Sequence, residues 1–146
     1  MTDNSNRDSN LREARASGKI FLKEGTIDRI RNNFVQKGDV ETIARIAAIN
    51  AVKKTPELIP LCPKIPISAI SVDMNLQGKN CINVSCTVKS VAKTGVEVQA
   101  LTGVNVALLN IWEAVKMYEK DEKGHFPSSI ITSIKIEEEI KEKEFE

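Results

Sequence analysis

From Val96 to about Lys120 the chain holds few polar residues and no proline or interior break, and its apolar side chains, among them Leu101, Val104, Leu108, Ile111, Trp112 and Val115, fall on most faces of a helix. A helix of that kind has no single solvent stripe and must be covered on several sides. A sheet packed on one side and a second subunit on another would supply that cover. The rest of the chain therefore has to contain a sheet wide enough to receive this helix.

Two alternating stretches provide for it. Ile70, Val72, Met74 and Leu76 share one face of a strand, as do Ile82, Val84, Cys86 and Val88. Gln77-Gly78-Lys79-Asn80 between them is short enough to make an antiparallel hairpin. Gly18 to Leu22 is predicted as a short strand, followed by a helix through Ile27 and Ile30. Asp39 is placed to cap a long helix whose stripe is Val40, Ile43, Ala47 and Ala51 and which stops before Pro56. Pro60, Pro63 and Pro66 stiffen Ile59 to Ile67 into an extended connection, since each ring fixes φ and removes a donor. After the turn at Gly124 and Pro127, Ile130 to Ile136 makes a last strand, and residues 137–146 form a charged tail. Residues 1–11 are expected to be loosely held. The sum is one α+β domain over residues 1–146, an antiparallel sheet with helices packed on one face.

At 146 residues, 41% hydrophobic and 28% charged, the chain has the composition of a globular domain with a real core. A net charge of +1 argues against nucleic-acid or membrane partners, which need a concentrated basic excess. The polar N-terminus lacks a signal-peptide core, and no run approaches the roughly 20 apolar residues of a bilayer span. Cys62, Cys81 and Cys86 are odd in number and lack C-x-x-C spacing, so neither a disulfide framework nor a zinc site is expected, and a cytoplasmic setting follows. His125 alone offers imidazole; no metal and no cofactor are predicted.

Lys37 precedes a helix N-terminus, where backbone N–H groups and the helix dipole favour an anion. On spacing alone a solvated turn lysine is the preferred reading, and Lys53 and Lys54 at the end of the same helix simply suit the dipole. Glu113 and Lys116 stand three apart on the most apolar helix, which makes them neighbours on one face. A surface ion pair explains such spacing; the apolar company of Trp112 and Val115 points instead to a buried acid–lysine pair with shifted pKa values. Glu97 complements the dipole of the same helix. Cys62, in a stiff loop with no histidine near it in sequence, reads as a small buried hydrophobe.

Several ordered blocks carry more information than any one of these residues. Leu11-Arg12-Glu13-Ala14-Arg15-Ala16, Lys37-Gly38-Asp39-Val40, Leu58-Ile59-Pro60-Leu61-Cys62, Lys93-Thr94-Gly95-Val96-Glu97 and Glu113-Ala114-Val115-Lys116 together resemble the cyclic pyranopterin monophosphate synthases, the molybdenum cofactor biosynthesis protein C family. The resemblance implies a ferredoxin-like subunit in a homohexamer built as a trimer of dimers, with sites at subunit interfaces. It also implies conversion of 3′,8-cyclo-7,8-dihydro-GTP into cyclic pyranopterin monophosphate and pyrophosphate without a redox cofactor. By resemblance Lys37 and Lys116 match catalytic lysines and Glu113 the catalytic carboxylate. Arg12 and Lys53 match the triphosphate side, Leu61, Cys62 and Pro63 the substrate loop, and Glu97 and Val98 the pterin-forming end.

The chain departs from that pattern at three places. Pro63 stands where the family has histidine, followed by Lys64 in place of proline, which removes a donor that titrates near neutrality. Glu113 replaces aspartate and is one methylene longer, and Gln99 replaces the second carboxylate of a Glu-x-Glu pattern. Two readings follow: an active synthase in which Lys64 supplies the missing positive charge, or a degenerate homologue that keeps the cleft and acts as a ligand-binding or assembly subunit.

Overall fold

The centre of the sheet pairs one strand built on small residues with one built on β-branched ones. The computed structural model describes residues 8–143, and β1 spans Asn10–Phe21, with Ala14 and Ala16 almost wholly buried. Helices α1 (Glu24–Arg31), α2 (Val40–Lys53) and the short α3 (Thr55–Leu58) follow. The hairpin strands are β2 (Ala69–Gln77) and β3 (Cys81–Ala92), then come α4 (Glu97–Glu119) and β4 (Ile130–Lys143). The strands lie in the order β2-β3-β1-β4, with every neighbouring pair antiparallel. Each helical connection thus skips a strand, from β1 over β3 to β2 and from β3 over β1 to β4. This is the ferredoxin-like arrangement that the resemblance implies.

One face of the sheet carries the core. Ile20, Ile82, Val84, Val88, Val104, Leu108 and Ile111 are all fully buried between strands and helices. α4 lies across β1, β3 and β4, and α2 packs beside it on β2. Gly18 is what lets α4 approach so closely: a Cβ there would come within 2.5–2.9 Å of Ile134, Leu108 and Val104. A second close approach is at Gly103, where a Cβ would meet Cys86 and Val52 at 2.7 and 2.9 Å.

The expected boundaries move at two strands and one loop. The strand expected at Gly18 to Leu22 begins eight residues earlier, so the segment expected to be loose, residues 1–11, is ordered from Asn10 onward; residues 1–7 lie outside the described residues. Pairing on both sides, with β3 and β4, overrides the weak strand propensity of Asn10 to Ala16. The charged tail is likewise strand as far as Lys143, because an edge strand tolerates charge on its free side. A bulge at Ser133, φ 59°, shifts its register. The connection after α3 contains a turn, closed by the Cys62 N–H donating to Ile59 O at 3.0 Å. By length and composition α4 would suffice to cross a bilayer, which the sequence was expected not to allow; half of its most apolar 18-residue stretch is buried, as befits a core helix.

Candidate active site

Asp39 caps α2 by accepting from the Thr42 N–H, and Gly38 before it adopts φ 130°, a conformation that L side chains rarely enter. That turn throws Lys37 across to the far half of α4. Its Nζ donates to Glu113 O at 2.9 Å and to Glu113 Oε1 at 3.3 Å. Lys116 Nζ, one helical turn on, lies 2.7 Å from Glu113 Oε2 and 5.5 Å from the centre of the Trp112 ring. Two ammoniums thus grip one carboxylate, each through a different oxygen.

The pair is not buried, as had been expected from its apolar neighbours. Glu113 is 57% exposed and Lys116 39%, because their stripe of α4 faces away from the sheet. Hydrogen bonds from Lys116 and then Lys37 hold the Glu113 carboxyl below its ordinary value of 4.5. Glu113 is therefore an ionised acceptor at neutral pH, and the two lysines are the acids of the group.

The other expected residues gather at the opposite end of the same helices. α2 runs antiparallel to α4: the turn before α2 meets Glu113, while Val52 near its end faces Gly103. Lys53 closes α2 there. Arg12 of β1 donates from Nε to Ala92 O at 3.4 Å and from Nη2 to Lys93 O at 3.2 Å, which fixes the loop leading into α4 and leaves further guanidinium donors for an anion. Glu97 and Val98 begin α4, Glu97 folded back over Gly95, where its carboxylate fills the space a Cβ would need. Leu61 is exposed, while Cys62 and Pro63 are half-buried beside it.

Two members of this second group were not anticipated. Gln99, read in the sequence only as a missing carboxylate, is 2% exposed; its Nε2 donates to Cys62 Sγ at 3.4 Å and its Oε1 has no hydrogen-bond partner among the described residues. Burial pushes the Cys62 thiol up, with the Gln99 bond working against it. Glu139, hidden within the tail, shares a hydrogen bond with Glu97, and this contact and the like charge raise its carboxyl above 4.5. Only the strand pairing of β4 brings it there, so no local pattern signals it. Among the described residues no group of three His, Cys, Asp or Glu converges on a point that would hold a metal.

At a rise of roughly 1.5 Å per residue, Glu97 and Glu113 stand about 24 Å apart along α4. One chain therefore presents two separate polar groups, one at each end of the α2–α4 pair.

A model of the MoaC family matches residues 1–142. The chain belongs to this family. A protein of Methanosarcina acetivorans is 49% identical over 141 residues, covering 97% of this chain and 89% of its own length. One of Archaeoglobus fulgidus is 50% identical over 141 residues, covering 97% and 90%. One of Saccharolobus solfataricus is 46% identical over 144 residues, covering 99% and 96%. Each of these MoaC relatives is named a "probable cyclic pyranopterin monophosphate synthase".

Proposed function

We infer that this chain is a cyclic pyranopterin monophosphate synthase of molybdenum cofactor biosynthesis, converting 3′,8-cyclo-7,8-dihydro-GTP into cyclic pyranopterin monophosphate and pyrophosphate. Membership of the MoaC family over nearly the whole chain supports the reaction. The observation that carries the assignment of residues is the double grip of Lys37 and Lys116 on Glu113. Internal attack on the innermost phosphate needs a base for the attacking hydroxyl and positive charge against the phosphate and the leaving pyrophosphate. Glu113, kept ionised, serves as the base; the ammoniums of Lys37 and Lys116 return protons to the rearranging ring and neutralise charge. Arg12 and Lys53 hold the triphosphate, and Leu61, Cys62, Pro63, Glu97 and Val98 hold the ring system.

A small molecule cannot bridge about 24 Å of helix, so the two groups act together only if they come from different chains. The working unit in this reading is a homo-oligomer, a hexamer as a trimer of dimers, in which the Lys37–Glu113–Lys116 end of one α4 meets the Glu97 end of its partner. Exposed apolar side chains on the outer helix face, Val98, Leu109 and Met117 of α4 and Ile46 of α2, support such an interface. The cytoplasm suits a chain whose three cysteines are all free.

Single-turnover conversion of the cyclised nucleotide, followed by pyrophosphate release, tests the reading. Product from the wild type and a loss of on the order of 10³-fold in Lys116→Ala, with assembly intact, is the expected result. Tight binding without product would favour the ligand-binding alternative, to which Pro63 in the substrate loop and the neutral Gln99 point.

A further inference from the structure

Lys37 reaches Glu113 only because the turn between α1 and α2 is held against α4, and Lys37 does not hold that turn unaided. Tyr118, on α4 beyond Lys116, accepts the Gln36 N–H on its phenol oxygen at 2.9 Å. Arg29 of α1 lies over the other end of this contact. Its guanidinium carbon is 4.2 Å from the centre of the Tyr118 ring and 5.5 Å from that of Phe34, and its Nη1 donates to Phe34 O at 3.3 Å. The chain therefore returns on itself through Arg29, Phe34, Gln36 and Tyr118, with Lys37 the next residue along.

We propose that Tyr118, with Arg29 stacked on its ring, is a positioning residue for Lys37. The inference rests on the catalytic assignment of Lys37 made above. A single exposed hydrogen bond adds little to stability, since water replaces it. Its effect here is on placement. The amide it fixes belongs to the residue next to Lys37, so losing the phenol acceptor lets the turn drift from α4 and lengthens the reach of the ammonium to Glu113. Displacing a proton donor by about 1 Å costs on the order of 10²-fold in rate. The stacked ring and the Arg29–Phe34 bond remain when only the hydroxyl is removed, so a partial displacement is expected.

Tyr118→Phe isolates the acceptor, because the ring and its stack on Arg29 survive. The expected result is a fall in kcat of about 10-fold with KM changed by less than about 2-fold. A second readout needs no turnover. Carbon-13 NMR of the Glu113 carboxyl should show its titration moving up toward 4.5 in Tyr118→Phe, as the Lys37 contact that lowers it weakens. In a Lys37→Ala background the same substitution should then shift nothing further, since the group through which it acts is gone. A merely structural tyrosine would not show that dependence on Lys37. An unchanged titration and kcat in Tyr118→Phe, or an equal shift with and without Lys37, would overturn the proposal. A wild-type protein without turnover would instead overturn the synthase reading, and with it any service Tyr118 renders to that reaction, while the titration still reports on the clamp.

Discussion

At the scale of single residues, each of the two polar groups holds a carboxyl pushed off its ordinary value, and the directions are opposite. Glu113, between two ammoniums, titrates below 4.5; Glu139, against Glu97, titrates above it. The consequences for stability have opposite sign. What Glu113 contributes is present above its ordinary pKa and is lost as pH falls through the depressed one. Glu139 is protonated more readily in the folded chain, so its contribution is present below 4.5 and is lost as pH rises through the raised value. Both side chains are exposed and screened, which keeps the two effects small. Replacing Glu97 with Gln removes the like charge and should bring the Glu139 titration back toward 4.5. A pH series by carbon-13 NMR checks this, and a Glu139 midpoint that stays raised would show that Glu97 is not its cause. The Glu113–Lys116 pair was legible in the sequence because helical spacing makes neighbours of them; the Glu97–Glu139 pair was not, because it depends on where an edge strand ends.

At the scale of elements, the long helices and the β2–β3 hairpin were legible, and most of β1 and the end of β4 were not. α2 and α4 announce themselves by apolar stripe, by the Asp39 cap and by proline placement. β1 conceals itself: Leu11 to Gly18 has the composition of a helix or loop, and its small residues make sense only once α4 lies on them. Ala14, Ala16 and Gly18 are the floor under that helix. This accounts for the strand's composition and yields a test. Gly18→Val would thrust carbon atoms into a space already filled by Ile134, Leu108 and Val104, lifting α4 from the sheet. A loss of about 2–3 kcal/mol in urea unfolding is expected. Stability equal to the wild type would mean that the helix and strand have room the packing does not show.

At the scale of the whole molecule, the separation of the two polar groups is the decisive quantity. α2 and α4 are antiparallel neighbours, so each carries one group at either end, and no bending of a single chain brings Lys37 to Lys53. A two-fold axis across α4 would do so twice over, creating two equivalent composite sites, each using the lysine end of one chain and the Glu97 end of the other. That symmetry makes a quantitative prediction. A chain inactivated at one end by Lys116→Ala and a chain inactivated at the other by Arg12→Ala with Lys53→Ala should each lack turnover. Mixed and reassembled in equal amounts, they form mixed dimers in which one site inherits both defects and the other neither. With random pairing, activity should recover to about a quarter of the wild-type value, because half the pairs are mixed and half their sites are intact. If each chain instead built its own site, every site in the mixture would keep one defect and no activity would return. The sequence hinted at this arrangement through an α4 too apolar for one sheet to cover. In the reading proposed above, the placement of both polar groups at opposite ends of that helix gives the surplus of apolar surface its use, as a contact with a second copy.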